Sequence, residues 1–193
     1  MGEGPQTLKI INSICKWNEA RYPQEYNSQL TRALLTEEVK ELRFAEMDND
    51  LLEVLDAYGD IFYVAIGGMW KLGSTAEEIN EFVKYSHRYV SSISFEDMLG
   101  NMRYEAPVRY LMGFARLSFE ALLHYTRSDR LALQVLFSIC TSNDTKAIKK
   151  TAAHLKANIT KGDEYISPHE ELKMIIRKIG REDGLLCDGS ESS

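Results

Sequence analysis

Apolar residues recur along most of this chain every three or four positions, the spacing of one face of an α-helix, and strict two-residue alternation is sparse. Leu8, Ile11, Ile14, Cys15 and Trp17 predict a first helix over residues 7–21, broken by the segment 22–27 with its Pro23. Leu30, Leu34, Leu35, Val39, Leu42 and Ala45 form the stripe of a second helix over 28–47, and Asp48, Asn49 and Asp50 supply a turn and the next N-cap. The third helix, residues 51–72, is apolar nearly all round, which predicts the central helix of a bundle. Gly73 ends it, and Ser74-Thr75-x-x-Glu78 reads as a capping box opening a fourth helix that runs to residue 90. Pro107 suits the first turn of a long helix to residue 125, and Ser128-Asp129 cap another to residue 140. Residues 141–144 read as a loop, 145–158 as a basic amphipathic helix, and a short final helix follows Pro168. The fold class is therefore all-α, one helical domain over residues 1–180 with a polar tail over 181–193 expected to be disordered. The interval 95–142 reads either as an inserted helical hairpin or as more of the same bundle.

Acidic residues interrupt this pattern where burial is expected. Glu37, Glu38 and Glu41 lie on the second helix, and Glu53, Asp56 and Asp60 on the third. Glu38 and Glu41 share one helical face; Glu53, Asp56 and Asp60, at i, i+3 and i+7, share a face of the next. Two facing helices would then present one carboxylate cage. Such a cage repels itself unless cations neutralise it, and oxygen ligands with no His or Cys close by in sequence select Mg²⁺ or Mn²⁺. An EExxE string alone is more often a solvated helix face. Asp60 tips the balance, because it sits in a run from Ala57 to Trp70 that is otherwise apolar or Gly.

Composition narrows the partners. With 193 residues, 44% of them hydrophobic, and a net charge of −6, the chain is globular and lacks the cationic face that duplex nucleic acid requires. The apolar stretch 61–70 is too short to span a bilayer, so no membrane role is expected. Three cysteines without paired spacing, Cys15, Cys140 and Cys187, and an N-terminus without a signal pattern point to the cytoplasm. The basic residues Lys146, Lys149 and Lys150 read as a solvated helix face. Lys161 differs, standing beside Asn158 at an expected helix-to-loop boundary where both reach phosphate oxygens. The aromatics Trp17, Tyr26, Phe44, Tyr58 and Tyr63 are mostly core, although Trp17 and Tyr26 flank a loop able to cover a base, with Asn18 placed to read its edge. His87, His124, His154 and His169 are scattered and read as structural or exposed.

A helical bundle with ExxE on one helix and ExxD-type spacing on the next resembles the all-α nucleoside triphosphate pyrophosphohydrolases: MazG, phosphoribosyl-ATP pyrophosphohydrolase and the dimeric dUTPases. EVLDAYGDIFYVAIGGMWKLG is similar to the short MazG-like proteins common in bacteriophages, and ANITKGDEYISP to their downstream Asn/Lys segment. The resemblance implies hydrolysis of a (deoxy)nucleoside triphosphate to monophosphate and pyrophosphate with Mg²⁺ or Mn²⁺, in nucleotide-pool control. It makes Glu38 and Glu41 metal ligands, with Glu38 also the first choice of base. Glu37 becomes a ligand or water-orienting base, Glu53, Asp56 and Asp60 supply the other carboxylates, and Asn158 and Lys161 contact the triphosphate near Tyr165. Ala57 stands where MazG has a Glu, so Glu53 and Asp56 must supply the missing carboxylate. Phosphoribosyl-ATP hydrolysis is the alternative activity, and a non-enzymatic helical protein with a relic acidic site is the other. Relatives assemble to complete their sites, and a central apolar helix leaves surface to cover, so a homo-oligomer, dimer or tetramer, is expected.

Overall fold

A computed structural model describes residues 4–85, 93–102, 107–149, 158–160 and 163–182. Eight helices are seen among them: α1 (Gly4–Glu19), α2 (Ser28–Asp48), α3 (Leu51–Lys71), α4 (Ala76–Tyr85), α5 (Phe95–Asn101), α6 (Pro107–Thr126), α7 (Asp129–Asp144) and α8 (His169–Glu182). The architecture is all-α apart from one small antiparallel ladder, β1 (Ala147–Lys149) on β2 (Asn158–Thr160), in which Ile148 faces Ile159.

Local chemistry sets the helix ends. The Asn27 side chain accepts from the Leu30 N–H, and that of Asp50 from Leu52 and Glu53 N–H, so each satisfies amides left open in a first turn. Asn49 takes the left-handed conformation at φ 54°, which reverses the chain within two residues and lays α2 antiparallel along α3. Thr75 and Glu78 form the expected capping box, Thr75 N–H donating to Glu78 Oε2 at 2.8 Å and Glu78 N–H to Thr75 Oγ1 at 3.2 Å.

As its composition predicts, α3 is the centre. It packs between α2 and α6, and α1, α7 and α8 also lean on it. Leu55, Ile61, Phe62, Ile66 and Met69 are wholly buried there, and one continuous core joins them to Phe114 and Leu111 of α6 and Val135 of α7. No described helix is long and apolar enough to cross a membrane. Cys15 and Cys140 are buried free thiols.

Several expectations need correcting. α7 continues through residues 141–144, because Ser142 and Asn143 are buried and prolong its inner face. The basic helix over 145–158 is replaced at 147–149 by a strand, and Asn158 stands in the partner strand rather than at a helix end. A short helix, α5, capped by Ser94, was not expected as a separate element. Phe44 is 65% exposed rather than core. α8 runs on through Arg181 and Glu182, where the tail was expected to begin; the end expected for the fourth helix, residues 183–193, and Lys150, Lys161, His87 and His154 lie outside the described residues.

Candidate active site

The antiparallel pairing of α2 and α3 leaves a cavity of about 480 Å³ between them, walled at the side by α1 and the end of α7. On α3 its lining is a single stripe, Asp60, Tyr63, Val64, Gly67, Gly68 and Lys71. This stripe runs about 16 Å along the helix axis at ~1.5 Å per residue. On α2 the stripe is Leu30, Thr31, Leu34, Glu37 and Glu38. Because the helices are antiparallel, carboxylates gather at one end, with Leu30, Thr31 and Lys71 at the other.

Glu38 is the most perturbed of the acids. Burial first, then the charges of Asp60 and Glu41, push its carboxyl up to about 9, against the pull of Lys146. Glu41 is raised in the same way by desolvation and by the charges of Asp60, Glu37 and Glu53. The acids of α2 and α3 therefore form one electrostatic unit. Asn143 of α7 ties it to the walls: its Nδ2 donates to Asp60 Oδ1 at 3.4 Å and to Ile139 O at 3.0 Å, and its own carbonyl accepts from Trp17 Nε1 at 2.9 Å.

The six acids do not close into one cage. Glu37, Glu38 and Asp60 line the cavity, whereas Glu53 and Asp56 face α8. There His169 Nε2 lies 3.5 Å from Glu53 Oε1 and 3.8 Å from Asp56 Oδ2, and one ligand atom from each of the three falls within 4.8 Å of the others. An imidazole thus stands beside two of the acids, where the sequence offered oxygen donors alone and read His169 as structural or exposed. Crowded carboxylates that burial and mutual repulsion keep protonated, and a carboxylate pair with an imidazole, both fit a divalent cation.

The aromatic wall comes from α1 and the loop after it. Trp17 meets Tyr63 edge-on, centroids 5.6 Å apart, and Tyr22 at 5.8 Å, while Arg21 covers its ring at 4.6 Å. Trp17 and Asn18 are both buried and line the cavity. The Tyr63 hydroxyl is buried with no hydrogen-bond partner among the described residues, and burial raises its pKa. Tyr165 is not in the cavity wall; its hydroxyl accepts from Ser142 Oγ at 3.2 Å. The Asn158 side chain and the whole of Lys161 fall outside the described residues.

Two cations were missed by sequence reasoning. Lys146, expected on a solvated helix face, follows the end of α7 and lines the carboxylate end of the cavity. Lys71 lines the other end, its Nζ 4.3 Å above the Tyr22 ring, and burial lowers its pKa. The signal for Lys71 was present, since it continues the stripe from Asp60 at helical spacing. His169 had none, because only tertiary packing brings α8 to α3.

Residues 8–87 match the phosphoribosyl-ATP pyrophosphohydrolase family. No curated protein and no solved structure matches the chain. The matched segment holds every acid of the cavity, together with Trp17, Asn18 and Lys71, while Asn143, Lys146 and His169 come from beyond it. Residues 8–87, spanning most of α1 through α4, are thus a phosphoribosyl-ATP pyrophosphohydrolase-family domain of the helical MazG-like superfamily.

Proposed function

We propose that the protein hydrolyses a nucleoside triphosphate to its monophosphate and pyrophosphate with Mg²⁺ or Mn²⁺, the triphosphate lying at the carboxylate end of the cavity. The observation that carries this reading is the bipolar cavity itself, acids of two helices at one end and an aromatic wall leading away from them. Glu38, Glu41 and Asp60 would hold the cation, and Glu53, Asp56 and His169 a further one. A bound divalent ion supplies charge neutralisation at phosphate oxygens and lowers the pKa of water.

The chain's own residues do the remainder. Glu38, half-buried beside the other acids, would accept the proton of the attacking water in its ionised form, which a bound cation favours and which burial and the neighbouring carboxylates disfavour without one. Lys146 places an ammonium beside the carboxylates, where negative charge on the leaving pyrophosphate needs a donor. Asn158 and Lys161 contact the triphosphate on the strength of the resemblance. Trp17 and Tyr22 exclude water from the base end, and Asn143 holds Asp60 in place.

The family match favours a second reading, in which phosphoribosyl-ATP is the substrate. Pyrophosphate release from a panel of ribo- and deoxyribonucleoside triphosphates and from phosphoribosyl-ATP separates the two. Turnover of simple triphosphates at higher kcat/KM supports the first reading. Turnover of phosphoribosyl-ATP alone replaces it with the second.

A further inference from the structure

We propose that the cavity end away from the carboxylates selects the base, accepting one with a keto oxygen at its far corner and a ring N–H beside it over its amino counterpart. The proposal rests on the pyrophosphohydrolase reading, which fixes the direction of the nucleotide by putting its phosphates at Asp60.

A flat ring has a place to lie beyond the carboxylates. Beyond Asp60 the cavity passes between the aromatic wall of Trp17, Tyr22 and Tyr63 and the side chains of Leu30, Thr31 and Leu34. Gly67 makes room for Asn18 in this section. A Cβ there would stand 2.9 Å from Asn18 Nδ2 and 3.2 Å from Asn18 Oδ1, so the Asn18 amide lies directly on the helix backbone.

That amide has a fixed sense. Asn18 Nδ2 donates to the Ile14 carbonyl at 2.9 Å, which only a donor can satisfy, so Oδ1 is the atom left for the cavity, and no described residue donates to it. Asn18 is 4% exposed, so its orientation is held by packing as well as by that bond. One helical turn further from Asp60 stands Lys71, an ammonium able only to donate. Among the described residues no carboxylate pairs with it, and its neighbour is the face of Tyr22.

The inner end therefore offers an acceptor first and a donor beyond it. A pyrimidine entering glycosidic side outward presents its 3-position to the nearer group and its 4-position to the farther. Uracil and thymine place N–H against Asn18 Oδ1 and a carbonyl oxygen against Lys71. Cytosine places a bare ring nitrogen against an acceptor and an amino group against an ammonium, so both contacts are lost and both protein groups stay unpaired. Hypoxanthine and adenine form the same contrast at the purine 1- and 6-positions.

The test pairs substrates that differ only in this edge, dUTP with dCTP and dITP with dATP, on the full chain with Mg²⁺ or Mn²⁺. The expected result is a preference of roughly ten- to a thousandfold in kcat/KM for the keto member of each pair, the range two mispaired hydrogen bonds produce. Lys71→Met, which keeps the stem over Tyr22, should reduce the preference at least about tenfold, by raising KM for the keto substrate and lowering it for the amino one. Equal use of both members, or preference for the amino one, overturns the base assignment and leaves the hydrolytic reading standing. Quenching of tryptophan fluorescence by dUMP, dCMP, IMP and AMP in EDTA reads the same selectivity without turnover. If no triphosphate is hydrolysed, the functional reading fails; tighter binding of dUMP and IMP then still upholds the inner site, and equal binding overturns it.

Discussion

Glu38 carries the strongest consequence at the scale of a single residue. Its carboxyl titrates near 9 in the folded, cation-free protein and near 4.5 when unfolded, so the folded form keeps a proton that the unfolded form gives up. Stability from this group is fully present below pH 4.5 and is lost as pH rises toward 9. The melting temperature in EDTA should fall over that interval, Glu38→Gln should flatten the slope, and Mg²⁺ should restore stability most at the alkaline end. A slope unchanged by Glu38→Gln would locate the titration elsewhere. Lys146→Ala should lower kcat/KM by roughly ten- to a thousandfold, as expected on removing one charged stabiliser of a transferring phosphate. Lys149→Ala and Lys150→Ala are the comparison; equal losses in all three would mean diffuse attraction rather than a placed charge.

Among the elements, α3 decides both packing and site. Its face toward α7 has no room at Gly59, where a Cβ would meet Ile139 Cγ1 at 2.5 Å. Gly59→Ala should cost about 1–3 kcal/mol, the usual penalty of overpacking a filled core. Gly100→Ala, on α5 with nothing within 4 Å, should gain about 0.5–1 kcal/mol from helix propensity alone. Chemical denaturation of the two variants measures both. The helices from α1 to α4 were legible in the sequence because stripes, caps and breakers agree: Asn27, Asp50, Thr75 and Glu78 cap where their types predict. The region after α7 was not. Lys146, Lys149 and Lys150 at helical spacing suggested a helix, but a charge pattern does not reveal that Ile148 pairs across a ladder with Ile159. For the same reason the acids of α2 and α3 could be picked out, whereas their division between the cavity and His169 could not. Which face of α3 meets α8 is settled by packing of Leu172 and Ile175, not by any local motif.

For the whole molecule, the matched segment and α7 beyond it line one cavity. Glu37, Glu38 and Asp60 come from within residues 8–87, and Asn143 and Lys146 are brought to them by α7. Large apolar side chains also remain outside, Phe44 at 65% and Met47 at 75% exposure on neighbouring turns of α2. A homo-oligomer that covers them is expected, and light scattering should find a mass above that of the 22.1 kDa chain, with Phe44→Asp and Met47→Asp shifting it toward monomer. The central claim, that the carboxylates of α2 and α3 hold a cation for phosphoanhydride hydrolysis, is tested most directly by product analysis. Wild-type protein and Glu38→Gln are incubated with the best triphosphate of the panel, with Mg²⁺ or Mn²⁺ and with EDTA. Equal amounts of monophosphate and pyrophosphate are expected from the wild type with metal only, and none from a Glu38→Gln variant that keeps its helix content. Undiminished turnover by Glu38→Gln or in EDTA, or orthophosphate and diphosphate as the products, would contradict the claim.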